Sequence, residues 1–304
     1  MGFYNLIGAL FFYLNLLIMR SISFFIFSIL CFGSNAQSFT ASPISSSKCD
    51  TIAKVVVDQA AYRVFYDYKY APDADLPNEK YSALTFLQIG KSHNRFMDYN
   101  AFRSDSINDI NVRNSAPMIE YFAALQNATK SIGYEKRFII DRRKKQQIAQ
   151  ERVALQVYQY EEPVPAIGWN LISGDSIIAG YDCKKAACNL YGREYIAWYA
   201  PDVQLPYGPY QFNGLPGLIF KITDTENNFD FTISGLQQID YYDPIYVREY
   251  RDIVKSSRKE VRKIEKNYCA NPAKGLKNSG KTIIMSDEDW ESIPPKPYNP
   301  IDRQ

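Results

Sequence analysis

The sequence predicts a mainly β protein of the α+β type, a curved antiparallel sheet or half-barrel meander with one or two helices, one of them C-terminal. Three observations lead there. Tyr and Phe are abundant, 24 and 18 of 304 residues, and both favour the pleated, half-buried surface of a strand. Several segments alternate apolar and polar side chains with period two. The segments also follow one another across connections too short for a parallel crossover, so their neighbours are antiparallel.

Residues 1–36 are expected to precede the fold. Met19-Arg20 opens a short positive segment, Ser21 to Phe32 is an almost unbroken apolar run, and Ser34-Asn35-Ala36 puts small residues before Gln37. Cation, apolar core and small-residue site together predict a secretory signal peptide, with Met19 a candidate true start. A membrane anchor is the rival reading, but Arg20 splits the apolar run into pieces shorter than the roughly 20 residues of a spanning helix. Leu30 before Cys31 argues against lipid attachment. Export implies a periplasmic, outer-membrane-associated or secreted protein with no transmembrane segment in the mature chain. Residues 37–48 are Ser-rich and read as a flexible leader.

The main β domain is expected over 49–240. Tyr62, Val64, Tyr66 and Tyr68 alternate with Arg63, Phe65, Asp67 and Lys69. Ser82 to Ile89 and Asn94 to Tyr99 read as a hairpin around Gly90-Lys91-Ser92. Residues 103–131 are polar, with a helix expected over Met118 to Leu125. Strands follow at Arg137–Asp141 and Val153–Tyr160, separated by the charged stretch Arg142 to Arg152. Trp169–Ile172, Ile177–Leu190 and Arg193–Tyr199 read as a meander with turns at Gly174-Asp175 and Tyr191-Gly192, and Leu218–Thr223 pairs with Phe229–Ser234. Residues 241–269 are expected to form a basic helix on or beside the sheet, running from Ile245 to Lys266 with an apolar stripe. Residues 270–304, with Pro294-Pro295-Lys296-Pro297, read as an extended polar tail.

The chemistry is thin. A net charge of +2 gives no reason to expect a nucleic-acid partner. His93 is the single histidine, so a Ser-His-Asp triad or a two-histidine zinc site must be built on it or do without. No nucleophile elbow, phosphate loop or dinucleotide fingerprint occurs, and no cofactor is expected. Ser256-Ser257-Arg258-Lys259 and Ser45-Ser46-Ser47-Lys48 match Ser-x-x-Lys without the companion motifs. Asp73 to Glu79 offers oxygen ligands without the spacing of a calcium loop. Glu194, near Trp198 and Tyr199, is a weak candidate acid for sugar chemistry. The cations from Arg248 to Lys266 read as a solvated face or a dock for anionic lipid or an acidic partner. In an oxidising compartment Cys49, Cys183, Cys188 and Cys269 permit three full pairings. Cys49 with Cys269 and Cys183 with Cys188 are the favoured candidates; buried free thiols are the alternative.

Gly214-Leu215-Pro216-Gly217-Leu218-Ile219 is the signature of the GLPGLI family. The flanking residues match as well: Ile178 through Ala186, Gly192-Arg193-Glu194-Tyr195, Ala197-Trp198-Tyr199 and Gly208-Pro209-Tyr210. The chain therefore resembles these exported Bacteroidetes proteins, a family without an established activity or catalytic residues to carry over. More loosely it is similar to periplasmic lipoprotein carriers, in which a curved sheet wraps a helix around an apolar cavity. Physically the motif reads as a type II turn over Leu215 to Leu218, since Pro216 presets φ and Gly217 accepts φ > 0. A second reading is a ligand-closing loop, with Trp198, Tyr199, Tyr207, Tyr210 and Phe212 as candidate lining. Together these features point away from catalysis, towards an envelope module that binds an apolar ligand or another envelope protein. The alternative is a carboxylate-dependent hydrolase acting on a glycan or peptide.

Overall fold

A computed structural model describes residues 51–114 and 118–303. The expected signal peptide, the leader and Cys49 lie outside the described residues. Among the described residues the chain forms an open, unclosed, mainly β sheet with helices at its faces and near its C-terminus. The strands are β1 (Lys54–Tyr70), β2 (Tyr81–Gly90), β3 (His93–Asp98), β4 (Lys136–Asp141), β5 (Gln146–Val153), β6 (Gln156–Pro163), β7 (Asn170–Ile178), β8 (Tyr181–Leu190), β9 (Arg193–Ala200), β10 (Leu218–Asp224), β11 (Phe229–Gln238), β12 (Pro244–Arg248) and β13 (Val254–Lys255). The helices are α1 (Tyr99–Asn114), α2 (Met118–Lys130), α3 (Arg258–Ala270), α4 (Pro272–Lys277) and α5 (Asp287–Glu291).

The strand order β13-β6-β5-β4-β3-β2-β1-β11-β10-β9-β8-β7 sets β1 between two meanders. One runs outward from β2 to β6, and the other returns from β7 to β11. β1 pairs antiparallel with β2 on one side and β11 on the other, and its first half pairs with β12. The expected alternation holds: Val64, Tyr66 and Tyr68 are buried on what is here called the inner face. Their neighbours are covered too, because α1 packs Phe102 and Tyr99 over Phe65, Phe86 and Met97 on the outer face.

The turns between strands follow their residues. Ala179-Gly180 and Tyr191-Gly192 have positive φ at both central positions (51 and 82°, 51 and 80°), as two-residue hairpins of matching twist require. Gly174-Asp175, expected as a turn, is instead a register break inside β7. The charged stretch after Arg142 is not a separator either. It makes a tight turn, and Gln146–Val153 forms β5 with Gln147, Ala149, Glu151 and Val153 buried on one face.

Three further expectations are corrected. Helix α1 was illegible because it buries Asp105 and Asp109 rather than an apolar stripe; Asp98 caps its start, accepting from the N–H groups of Asn100 and Ala101 at 2.7 and 3.0 Å. The helix expected from Ile245 to Lys266 begins only at Arg258. Ile245-Tyr246-Val247 follows a proline and is aromatic and β-branched, so it adds to the sheet as β12 instead. The true start carries a Ser-x-x-Glu capping box, with the Ser257 hydroxyl accepting from Glu260 N–H at 3.3 Å. The extended tail is also overturned, since Leu276, Trp290 and Ile301 are buried and pin residues 272–303 back onto the body.

The Cys183–Cys188 bridge is excluded. Both are buried free thiols on the continuous strand β8, where five residues span about 16 Å, well beyond the ~7 Å reach of a disulfide. Cys269 is likewise a free thiol.

The proline–glycine corner is packed, but it is not a type II turn. Gly217 N–H bonds Leu215 C=O at 2.8 Å, a three-residue turn about Pro216, while Leu218 N–H crosses to Val203 C=O at 3.0 Å. Gly217 has φ of 152°, and a Cβ there would stand 2.2 Å from the Ala200 carbonyl oxygen. Downstream, the register with β9 breaks between Ile219 and Lys221, and the buried Tyr66 hydroxyl donates to Ile219 C=O at 2.8 Å. The motif is thus tied to the central strand. Gly217→Ala is expected to cost about 3 kcal/mol or more, whereas Pro216→Ala, at an exposed position, costs under about 1 kcal/mol. Urea unfolding of the two variants checks the order, and equal losses would contradict it.

Candidate functional site

The loop from Pro201 to Gly217 decides the fate of the aromatic residues expected to line a ligand site. It folds inward over β4 and β9, and Tyr210, Phe212 and Leu215 are each 1% exposed. Tyr210 meets Phe138 edge-on at 5.0 Å, and Phe212 meets Tyr195 at 4.8 Å. Tyr199 is buried in the same cluster. Tyr207 stacks on Arg142, whose guanidinium also bonds Gly90 C=O at 2.6 Å. Trp198 lies under Lys185. The five therefore do not converge on one ligand surface. Four anchor the loop or fill the core, and the space a carrier-type cavity would occupy holds side chains of the chain itself.

The single histidine sits where three strand ends meet. Ser92 Oγ stands 2.9 Å from His93 Nδ1 and donates to Asp58 at 3.0 Å, and His93 Nε2 faces Asp141 at 3.6 Å. Asp58 also accepts from the backbone N–H of Ser92 and His93. Burial alone would raise the Asp58 carboxyl, but these bonds outweigh it and hold it below the usual range. The carboxylate locks the β2–β3 turn, and its hold on Ser92 occupies the hydroxyl a nucleophile would need free.

The acids that meet are neutralised. On the inner face, Glu151 and Asp302 share Lys136 at 3.5 and 3.4 Å and both contact Arg262 of α3, while Tyr160 donates to Glu151. On the outer face, Asp105 binds Arg137 at 2.8 Å together with Arg248 and Tyr246. Burial raises the Asp105 carboxyl, yet the two guanidinium groups bring it below the ordinary value. A carboxyl lowered as Asp105 is lowered is the opposite of a poised general acid. Part of the expected basic face is ion-paired, with Arg248 on Asp105, Arg262 on Glu151 and Arg258 on Glu162 at 3.0 Å, while Arg251, Lys255, Lys259, Lys263 and Lys266 are exposed. Glu194 stands exposed on β9, pointing away from the core.

What remains open is a sheet edge. The far edge at β13 is two residues long, whereas β7 pairs only with β8 and runs for nine residues. Leu171 and Ile177 on it are 59% and 74% exposed. After the register break, Asp175, Ser176 and Ile177 flank an open groove of about 750 Å³, also lined by Asp182, Cys183, Lys184, Pro201 and Asp202. Three carboxylates face one ammonium there, and Lys184 is already paired with Asp175. Sequence reading missed this site because β7 was split at Gly174-Asp175; the Ile177-Ile178 pair, of which Ile177 is exposed and Ile178 packs against the core, was the available signal.

No helix among the described residues is long and apolar enough to cross a membrane. Among the same residues, no group of three or more His, Cys, Asp or Glu could hold a metal ion.

No family model matches the chain, and no curated protein matches it. Among solved structures it is similar to PNGF-II in two crystal forms, at 10% and 11% identity with TM-scores of 0.42 and 0.44. These matches cover 68% and 67% of this chain, which spans about a third of theirs, 33% and 32%. Likeness at that level carries no argument about activity.

Burial pushes the Cys188 thiol up to about 12 and also raises those of Cys183 and Cys269. At pH 8 Cys183 and Cys188 are expected to react with DTNB at least about a hundredfold more slowly in the folded chain than in guanidinium. Rapid labelling of either in the native protein would contradict the packing described here.

Proposed function

We propose that the chain is an exported, non-catalytic interaction module of the GLPGLI type, taking an extended segment of another envelope protein along its β7 edge. The observation that carries this reading is the unpaired nine-residue edge with exposed Leu171 and Ile177 beside an acidic groove. A free edge presents a row of unpaired backbone N–H and C=O groups, and an added strand satisfies them. The excess of carboxylates at Asp175, Asp182 and Asp202 selects the partner's chemistry, a strand with Lys or Arg at alternate positions, and disfavours a second copy of this acidic edge. Binding of an enclosed apolar ligand is the weaker form of the reading, because Tyr199, Tyr210 and Phe212 are committed to the core.

The test is fluorescence polarisation with a labelled eight-residue peptide alternating Val and Lys. Saturable binding is expected, and Ile177→Pro, which removes an outward-facing backbone donor from the edge because Ile177 and Asp182 are a non-hydrogen-bonded pair of the hairpin, weakens it at least about tenfold without unfolding the chain. Asp182→Lys with Asp202→Lys weakens it similarly. Equal binding of a peptide alternating Val and Glu, or binding indifferent to all three substitutions, would overturn the proposal.

A further inference from the structure

The last described residues, Pro297 to Arg303, cross the inner face beside β9, and Asn299 to Arg303 each meet a polar group of the body. Arg193, itself 2% exposed, donates from Nε and Nη2 to Pro300 C=O at 3.1 and 2.8 Å and also holds the Asn299 side chain. Asn299 Nδ2 donates to Ala71 C=O at 2.9 Å and to Asn228 Oδ1 at 3.0 Å. The Tyr195 hydroxyl donates to Ile301 C=O at 3.3 Å, and Arg303 N–H donates to Tyr191 C=O at 2.9 Å. Ile301 is 4% exposed, and Asp302, 1% exposed, reaches Lys136 Nζ at 3.4 Å and Arg262 Nε at 3.3 Å. This is how a protein reads an extended peptide: backbone carbonyls gripped for position, one apolar side chain in a pocket, and one acid at a cationic end.

A second, independent feature marks the acidic end as a receptor. The hydroxyls of Tyr134 and Tyr210 are buried without a hydrogen-bond partner, and both feel the charge of Asp302. Arg262 Nε and Nη2 and Asp302 Oδ2 also lack a hydrogen bond there, so the occupant leaves the pocket's donors underused, and a buried unsatisfied donor is costly. The strap's own hold is mostly polar. Buried ion pairs do little more than offset their desolvation, and Ile301 is the one fully buried apolar side chain among residues 296–303. Residues 281–286 lie outside any helix or strand, and none of them is buried. Segments of this kind open at lower free energy than the core.

The geometry points to a peptide-binding trough on the inner face, specific for extended segments of the form Asn-Pro-apolar-Asp and held shut in cis by the chain's own C-terminal strap. A partner segment of that pattern competes with the strap, and its apparent affinity falls in proportion to the fraction of molecules whose strap is open.

The experiment uses the full-length chain and a fluorescein-labelled peptide copying residues 297–304. Asp302→Asn weakens the strap, so this variant is expected to bind the peptide at least about tenfold more tightly than the unaltered chain. A peptide with Asn in place of the acid binds the variant at least about tenfold more weakly, and adding Arg193→Ala to the variant abolishes binding. Equal binding to the unaltered and Asp302→Asn chains, or equal binding of the acid and Asn peptides, would overturn the inference. If Asp302→Asn does not fold, a full chain with a protease site inserted after Gly280 is folded first and then cut. Exchange of the labelled peptide into the cut protein supports the trough, and failure to exchange, with the fold intact by circular dichroism, refutes it.

Discussion

The structure depends on β1 being long enough to serve three neighbours at once. Its second half carries β2 and β11 on opposite sides, from Tyr62 to Tyr70, and its first half carries β12. A strand in this position is covered on both faces, which explains why Arg63, between apolar neighbours, is buried and answered by a bidentate Asp243. The pairing with β11 brings together residues more than 150 positions apart. Most of the chain is thereby committed to one register, and a one-residue slip would turn Val64, Tyr66 and Tyr68 outward.

The inner face is closed by segments that return from a distance: the Pro201–Gly217 loop, α3 and the C-terminal strap. The first is apolar and seals by packing; the other two meet the sheet mainly through Arg262, Glu151, Lys136 and Asp302. Removing one member of such a buried network strands the others and costs about 3–5 kcal/mol, although the intact network contributes little net stability. Such a network fixes where α3 and the strap sit more than how tightly they hold. The same distinction separates the proline–glycine corner, which is structural, from the strap, whose contacts resemble those of a bound ligand.

The sequence made the sheet legible wherever side-chain period decided the outcome. Tyr62–Lys69, the hairpin about Gly90-Lys91-Ser92 and the Tyr191-Gly192 turn follow directly from alternation and turn chemistry. It was opaque where polar residues are buried against other polar residues. Helix α1 hides its inward face in Asp105 and Asp109, β5 reads as charged because Gln147 and Glu151 point into the inner-face network, and the tail looks solvated although Asp302 is buried. Pairings between distant segments cannot be read from one chain. The capping box at Ser257 and Glu260 was readable and would have moved the start of the last long helix. The candidate docking edge was obscured by a glycine that makes a bulge, not a turn.

The competing chemical readings lose ground for physical reasons. Asp105, Glu151 and Asp302 are ion-paired, the serine beside the histidine is held by Asp58, and burial raises the thiols. All of it rests on the central strand uniting the two meanders. Native-state hydrogen exchange of the intact chain in increasing denaturant tests that unity most directly. The amides of Val64–Tyr68, with those of their partners in β2 and β11, are predicted to exchange slowest and to be lost together in one global opening. Release of β8–β11 while β2–β6 stays protected would contradict the account.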